Sequence, residues 1–275
     1  MTPRCILCKT EDKVRLIRKD FCGIKYVGVD GKEEEIRTDR AYDIYHCDVC
    51  DSRFVYPYSI IDYEAAYTKT DIYEGLIDLA HKLKNDPDPW WVLIGRGQQY
   101  YAAFDAVKGK ANLVGMDVGC GYGYMTIALN TLGHKFMGIE VSKSVVDACN
   151  ELYSGGFYLA DVENLKIDVK LDCIVSLEVI EHLSFPLKFM QSLKSLLKPD
   201  GFIVVTTPDR AYFEFRKTLD LGWQGEMPPI HQAIYSKDSM HWLANDLEMD
   251  LKFTDFPGGP AQTIGAIFTN KTRRK

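Results

Sequence analysis

A glycine-rich loop between two acidic residues is the first feature of the sequence that could bind a ligand. The run from Asp117 to Gly123 reads DVGCGYG and lies between a predicted buried strand and a predicted helix. Glycines allow the backbone to turn sharply and approach a ligand, and the following helix offers free N–H groups. Glu140 lies 21 residues after Gly119, at the end of the next predicted strand. An acidic residue there binds ribose hydroxyls in nucleotide-binding sheets, so the pattern predicts a ligand with a ribose.

Two details of this loop argue against a pyrophosphate ligand. The glycine spacing is G-x-G-x-G rather than G-x-G-x-x-G, and Asp117 stands two residues before the first glycine, where it would repel a phosphate. A carboxylate suits a cation instead, such as an amino group or a sulfonium. This combination points to S-adenosylmethionine. The alternative is a tight structural turn in an α/β domain that binds no cofactor.

Four cysteines in two Cys-x-x-Cys pairs form a second candidate site. Cys5 pairs with Cys8 and Cys47 with Cys50, and four thiolates are a common tetrahedral ligand set of structural zinc. A thin module of this size buries little core, so the metal would supply much of its folding free energy. We favour zinc over the alternatives, which are redox dithiols or inert cysteines. Cys22 has no partner at ligand spacing.

A third group combines carboxylates with histidines, and its candidate catalytic residues are His231, Glu178 and His182. Glu178, Glu181 and His182 fall at positions i, i+3 and i+4, so they would share one face if this turn were helical. Such groups could bind a second divalent metal. The simpler interpretation, which we favour, is that Glu181 and His182 structure the turn and that one histidine lies near the acceptor. His231 follows two prolines in a predicted loop.

The predicted elements place these residues in three regions. Residues 1–57 hold both cysteine pairs and short alternating strands, which indicate a small β module. Residues 58–110 have apolar residues at helical spacing and form a predicted helical cap or linker. From residue 111 to residue 275, strands alternate with helices. This alternation is typical of a Rossmann-like, doubly wound, mostly parallel α/β sheet.

Five segments in order give residues Leu113 to Pro208 a resemblance to class I S-adenosylmethionine-dependent methyltransferases. They read VGMDVGCGYG, IEVS, DVENL, DCIVSLEVIEHL and LLKPDGFIVVTTP. The resemblance implies a seven-stranded sheet whose final strand, Thr263–Asn270, is antiparallel. It also implies methyl transfer, in which the sulfonium is already a strong electrophile and the protein mainly aligns the reacting atoms.

The same resemblance implies a cofactor site. The residues concerned are Asp117, Gly119, Cys120, Gly121, Gly123, Glu140, Val141, Asp161, Val162, Leu177 and Tyr67. Glu140 would bind both ribose hydroxyls, Val141 would lie against the adenine, and Asp161 would bind the adenine amino group. Leu177 and Glu178 would face the methyl-transfer centre.

Further resemblances concern the regions around this core. Many similar methyltransferases begin with a cysteine module and often act on nucleotide-linked sugars. In that class the next helical segment covers the cofactor, so Tyr63, Tyr67, Gln98 and Tyr101 are candidate contacts, with core packing as the alternative. The segment PPIHQAIYS around His231 resembles one that places a histidine beside the acceptor. EVIEH segments also occur in small-RNA 2′-O-methyltransferases and in the ubiquinone-biosynthesis O-methyltransferase, where they are associated with metal.

Composition narrows the functional classes. The net charge of -6, from 33 basic and 39 acidic residues, argues against nucleic acid as a partner, because such binding depends on Lys and Arg. No apolar run approaches the roughly 20 residues that span a bilayer, so we expect no membrane partner. The first ten residues, MTPRCILCKT, lack the apolar core of a secretory signal, so we expect a cytoplasmic location.

The leading hypothesis is methyl transfer from S-adenosylmethionine to an oxygen or carbon of a small molecule, such as a sugar, a nucleotide-sugar or a related metabolite. The alternative is an RNA methyltransferase that reads its substrate with the cysteine module, and the acidic charge counts against it. A non-catalytic scaffold would be expected to have a damaged cofactor loop, and this loop is intact. The acceptor and the oligomeric state stay open, because relatives with one cofactor motif differ in acceptor.

Overall fold

The computed structural model describes residues 3–27, 33–59, 61–65, 76–86, 97–161, 169–215, 230–257 and 262–271. Their strands form one sheet of four strands and one of seven. Among these residues, none of the helices has both the length and the apolar character needed to cross a bilayer.

The N-terminal module is a β structure, as the alternating runs predict. Its strands β1 (Val14–Val27), β2 (Glu33–Cys47) and β3 (Arg53–Tyr56) pair antiparallel in sequence order. A fourth strand comes from far along the chain, because β9 (Ala233–Ile234) pairs with β3. Arg53 lies opposite Ile234 in this pairing, and Phe54 lies opposite Ala233. The four-stranded sheet therefore joins the module to the rest of the molecule.

The seven-stranded sheet confirms the predicted Rossmann-like fold. Its strands are β4 (Val114–Val118), β5 (Lys135–Glu140), β6 (Phe157–Leu159), β7 (Leu171–Leu177), β8 (Leu197–Pro208), β10 (Met249–Phe253) and β11 (Thr263–Asn270), in the order β10-β11-β8-β7-β4-β5-β6. The central strands pair in parallel. Strand β11 runs antiparallel to both of its neighbours, as the resemblance implies.

Helices cover this sheet, and their starting points follow from local sequence. The described helices are α1 (Leu76–Asn85), α2 (Gln98–Val107), α3 (Tyr124–Thr131), α4 (Lys143–Tyr153), α5 (Pro186–Leu196), α6 (Arg210–Phe215) and α7 (Lys237–Asp246). Ser142 is the N-cap of α4, where its side chain accepts a hydrogen bond from the N–H of Val145, as predicted. Ser236 caps α7 in the same way within a capping box.

The core extends across the boundary between the module and the sheet. One continuous apolar cluster joins Cys5 and Phe54 of the module to Met116 of β4 and Ile174 of β7. A second cluster, on the side of α2 and α3, includes Val175 and Val204. The module therefore packs against the seven-stranded sheet with side chains that are buried from water, which favours a fixed relation between the two.

Candidate active site and metal centre

The glycine loop after β4 has the backbone shape that its sequence predicts. Gly119, Gly121 and Gly123 all have positive φ angles, of 72°, 49° and 76°. A Cβ atom on Gly119 would lie 2.4 Å from Cγ2 of Val179, so a larger residue would need both a strained backbone and a shifted neighbour. The N–H groups of Gly119 and Cys120 donate to the carbonyl of Ile139, which fastens the loop to the end of β5.

Asp117 lies at the end of β4 and is buried. The hydroxyl of Thr126, in the first turn of α3, donates to its Oδ2 over 2.7 Å. Burial raises the pKa of Asp117 to about 7, and the hydrogen bond from Thr126 opposes that shift. A cationic ligand beside this carboxyl would favour its ionised form, so the site suits a positively charged group.

Glu140 ties the end of β5 to the glycine loop. Its Oε2 accepts from the N–H of Gly121 over 2.9 Å, and its Oε1 accepts from the N–H groups of Val141 and Ser142 over 2.7 and 3.3 Å. Burial raises the pKa of Glu140, while these N–H donors lower it. Because each carboxylate oxygen has two lone pairs, Oε2 can still accept from a ribose hydroxyl. Asp117, the glycine loop and Glu140 are called the cofactor half of the site below.

The structure describes some of the other predicted cofactor residues but not all of them. Val141 is half-buried after Glu140, and Asp161 is exposed after β6. Val162 and Tyr67 lie outside the described residues, as does the side chain of Gln98. The ring of Tyr101 packs against Phe256, with centroids 6.2 Å apart. This contact agrees with core packing, which was the alternative to a contact with the cofactor.

A residue near the cofactor half that the sequence did not single out is Glu64. Its Oε2 accepts from the hydroxyl of Ser142 over 2.8 Å and from the N–H of Ser144 over 3.2 Å. The segment 61–65 is thereby fastened to the N-terminus of α4, next to Glu140. Its neighbour Tyr63 faces the other side and lies edge-on to the ring of His182 at 6.1 Å. The segment therefore spans from the cofactor half to the histidines.

Glu178 does not share a helical face with Glu181 and His182, which corrects the premise of the i, i+3, i+4 pattern. It has a φ angle of 56°, and only Ile180–His182 form a short 3-10 turn. Its Oε1 lies 2.6 Å from the hydroxyl of Thr263 on β11. Burial and the neighbouring Glu181 raise the pKa of Glu178 to about 8.

The hydroxyl of Thr263 connects Glu178 to the end of β8. The hydroxyl of Thr263 lies within hydrogen-bonding distance of both Glu178 Oε1 and the carbonyl of Thr207, at 2.6 and 3.0 Å. The carbonyl can only accept, and the hydroxyl has one proton. The hydroxyl can therefore donate to Glu178 Oε1 or to the carbonyl of Thr207, and it ties Glu178 to the pairing of β11 with β8.

Glu181 is a buried carboxyl with one oxygen free for a ligand. Its side chain is 1% exposed, and Thr207 Oγ1 donates to its Oε2 over 3.0 Å. Its Oε1 has no hydrogen-bond partner among the described residues and lies 3.8 Å from Nε2 of His182. Burial raises the pKa of Glu181 to about 8. A buried polar atom without a partner is costly, so this oxygen is a place where a substrate or a cation would be stabilised.

The structure brings His182 and His231 together. Their ring centroids are 4.8 Å apart, although the residues are far apart in sequence. Nδ1 of His182 lies 2.9 Å from the carbonyl of Ile230, which can only accept, so Nδ1 carries the proton and Nε2 has a free lone pair. Burial lowers the pKa of His182, which favours this neutral form.

Among the described residues, the potential ligand atoms of Glu181, His182 and His231 all lie within 4.8 Å of one another. Glu178 is not in this group. A carboxylate with two imidazoles is a donor set that divalent metals accept, so the residues fit such an ion. Glu178, Glu181, His182 and His231 are called the acceptor half of the site below. Leu177, at the end of β7, is half-buried beside it.

The four predicted zinc ligands also form a cluster. Cys5 and Cys50 have their Sγ atoms 3.5 Å apart, as do Cys8 and Cys47, and all four sulfurs lie within 4.8 Å of one another. Zinc with Zn–S bonds of about 2.3 Å places its sulfurs about 3.8 Å apart, so the cluster fits a tetrahedral ion. All eight cysteines are free thiols, and Cys22 is exposed and outside the cluster.

Comparison with known proteins agrees with this geometry. Residues 95–251, more than half of the chain, match the family described as "Methyltransferase domain". The ubiquinone biosynthesis O-methyltransferase of Actinobacillus pleuropneumoniae serotype 7 is 31% identical over 121 residues, which are 38% of this chain and 52% of that protein. The mitochondrial ubiquinone biosynthesis O-methyltransferase of Dictyostelium discoideum is 29% identical over 117 residues, 36% of each chain. The chain thus spans about a third to a half of the length of these curated relatives.

Solved structures share the fold at low sequence identity. The plantazolicin methyltransferase BpumL, in complex with S-adenosylhomocysteine, superposes with a TM-score of 0.53 at 15% identity, covering 76% of this chain and 93% of its own. An S-adenosylmethionine-dependent methyltransferase from Mesorhizobium loti gives a TM-score of 0.52 at 13% identity, covering 62% and 98%.

Proposed function

We propose that this chain, which belongs to the methyltransferase-domain family, transfers a methyl group from S-adenosylmethionine to an oxygen of a small-molecule acceptor. The observation that carries the proposal is the pairing of the two halves. Asp117 and Glu140 lie at the ends of the adjacent strands β4 and β5, and the turn with Glu181 and His182 follows β7, the parallel neighbour of β4 on its other side.

The cofactor half supports the adenosyl cofactor. Asp117 would face the positively charged methionine part, and Glu140 would accept hydrogen bonds from the ribose hydroxyls. Val141 and Asp161 would bind the adenine, in line with the resemblance to class I methyltransferases. The sulfonium supplies the electrophilic methyl group, so the remaining task of the protein is to align an acceptor atom with it.

The acceptor half supports oxygen as the methylated atom. A hydroxyl must lose its proton when its oxygen attacks the methyl carbon, and His182 Nε2 or His231 can accept that proton. The O–CH₃ bond then forms as the S–CH₃ bond breaks, leaving neutral S-adenosylhomocysteine and an imidazolium. The relatives in ubiquinone biosynthesis are named O-methyltransferases, which agrees with this chemistry. We favour a sugar, a nucleotide-sugar or a related metabolite, with carbon as the alternative acceptor atom.

A divalent metal is a second way to activate the hydroxyl. Glu181, His182 and His231 would hold the ion, which would lower the pKa of a bound hydroxyl. The free Oε1 of Glu181 supports this version. If transfer is unchanged after treatment with EDTA, the histidines alone act as the base. If transfer is lost and returns with Mg²⁺ or Mn²⁺, the ion takes part.

Zinc in the four-cysteine cluster would have a structural role. With four protein ligands it has no open position for a substrate. We expect one equivalent of zinc per chain by elemental analysis, lost in Cys47→Ser and retained in the control Cys22→Ser. Full retention of zinc in Cys47→Ser would overturn this ligand set. We propose boundaries of 1–57 for the module, 58–110 for the helical cap and 111–275 for the methyltransferase domain.

The proposed function is tested first by cofactor binding and then by transfer. Calorimetry of the full chain should show one site for S-adenosylmethionine. Radiolabelled methyl transfer is then measured on two panels, nucleotide-sugars and phenolic metabolites, with a structured small RNA as a third. Failure to bind the cofactor would refute the function, whereas transfer to the RNA alone would refute the acceptor class.

A further inference from the structure

We propose that Gln232 is a positioning residue that couples the four-cysteine module to the histidines of the acceptor half. The inference rests on the proposed function. It assigns the module a part in the catalytic site, beyond the stability that a bound metal would give it.

Gln232 makes hydrogen bonds to both sides of the boundary. Its N–H donates to the carbonyl of Glu181 over 2.7 Å. Its carbonyl accepts from the N–H of Val55 in β3, and its side-chain Oε1 accepts from the N–H of Ser59, each over 3.0 Å. The side chain is fully buried, so water does not compete for these bonds. One residue therefore fixes the distance between the module and the Glu181 turn.

The residues on either side of Gln232 carry the coupling to the histidines. His231 precedes it directly, and the carbonyl of Ile230 accepts from Nδ1 of His182. The two residues after Gln232 are strand β9, which pairs with β3 of the module. The backbone that carries His231, and the acceptor that orients His182, are thus held by a strand of the module.

A second connection starts beside the zinc ligands. Asp51 follows Cys50, and its Oδ2 accepts from the hydroxyl of Ser236 over 2.5 Å. Asp51 also forms an ion pair with the side chain of Arg210. The backbone N–H of Arg210 donates to the carbonyl of Tyr235 over 2.8 Å. Order at the second cysteine pair therefore reaches the C-terminal end of the segment 231–236.

The cofactor half is held by other contacts. Its carboxyls are bonded to Thr126 and to the N–H groups of Gly121, Val141 and Ser142. These contacts belong to the seven-stranded sheet and its helices. Disorder of the module should therefore disturb the histidines and leave the cofactor site intact.

The variant Gln232→Met tests this coupling, because it keeps the length of the side chain and removes the acceptor for Ser59. Gln99→Met, on helix α2, is the matched control. Histidine rings are labelled with carbon-13 and assigned by single His→Gln variants, with S-adenosylhomocysteine affinity measured in parallel. We expect the ring signals of His182 and His231 to shift in Gln232→Met, with those of His134 and His241 unmoved and the affinity within about twofold of wild type.

A second measurement keeps the inference falsifiable if Gln232→Met does not fold. Zinc is removed from the module by the variant Cys47→Ser, without a chelator that could also strip an ion from the acceptor half, and Cys22→Ser is the control that retains zinc. We expect the same two ring signals to shift and the affinity for S-adenosylhomocysteine to stay within about twofold. Unmoved histidine signals would overturn the coupling, and so would a parallel loss of affinity, because the module would then support the whole fold. Absence of cofactor binding by the wild-type chain would instead refute the proposed function.

Discussion

The cofactor half of the site is built largely from local backbone, whereas the acceptor half is built from side chains that are distant in sequence. The cofactor half comes from one stretch of chain, residues 117–142, and much of it is backbone: glycines with positive φ angles and N–H groups that point at Glu140. The acceptor half is made of side chains from the end of β7, the segment before β9, and the supporting threonines of β8 and β11. A short sequence motif can encode a site made of local backbone, whereas a site made of side chains from distant positions depends on the whole fold.

The sharpest way to test this division is to remove one of the two histidines of the acceptor half. For His231→Ala we expect methyl transfer to fall by about 10²- to 10⁴-fold, because a general base would be lost. The affinity for S-adenosylmethionine should stay within about twofold. Both quantities are measured with the acceptor that the panels identify, and His81→Ala, an exposed histidine on α1, is the control. A parallel loss of cofactor affinity would mean that the two halves are not separate.

The next test addresses the cofactor half. For Glu140→Ala we expect calorimetric affinity for S-adenosylmethionine to weaken by about 10²-fold or more, because hydrogen bonds to a charged group contribute roughly 1.5–3 kcal/mol each. The loop also loses the bond from Gly121 to this carboxyl. Glu151→Gln, an exposed change on α4, should alter the affinity by less than about twofold. Unchanged affinity in Glu140→Ala would refute the site assignment.

Affinities measured over a pH series separate the contribution of the charge on Asp117 from that of the shape of the cofactor half. The pKa of Asp117 is about 7, so this carboxyl becomes ionised as the pH rises from 6 to 8. S-adenosylmethionine has one positive charge more than S-adenosylhomocysteine, so its relative affinity should rise over this range, by up to about tenfold. In Asp117→Asn the ratio of the two affinities should not change with pH. A constant ratio in the wild type would argue against a sulfonium beside Asp117.

The smallest effect is expected where segment 61–65 meets α4. Ser142→Ala removes both the N-cap and the hydroxyl that donates to Glu64. We expect the free energy of unfolding in urea to fall by about 1 kcal/mol, with cofactor affinity reduced by less than about fivefold. Ser195→Ala, on α5, is the control and should change neither quantity. A loss of affinity as large as that of Glu140→Ala would give this segment a direct part in cofactor binding.

The sequence predicted the fold and the cofactor half in detail because both depend on local patterns. The strand–loop–helix context of Asp117 and Gly119, and the spacing to Glu140, follow from backbone geometry that short motifs encode. The antiparallel β11 and the four-cysteine cluster were also predicted and are confirmed by the structure. The residue roles themselves stay predictions until binding is measured.

The acceptor half was only partly predictable. Sequence spacing treated Glu178, Glu181 and His182 as one helical face, whereas the backbone at Glu178 is left-handed and directs it toward Thr263. The contacts of Thr207, Thr263 and Gln232 were missed, because tertiary packing creates them. A usable signal did exist, since two consecutive threonines end the buried strand VVTTP, where buried hydroxyls need partners.

The contact between Thr263 and Glu178 has a consequence for synthesis on the ribosome. A growing chain emerges from its N-terminus, so the glycine loop and Glu140 can fold well before β11 has left the exit tunnel. During that interval β8 lacks its antiparallel neighbour and Glu178 lacks its hydroxyl partner. The last strand of the chain therefore completes the acceptor half, because Glu178 gains its hydroxyl partner only when β11 pairs with β8.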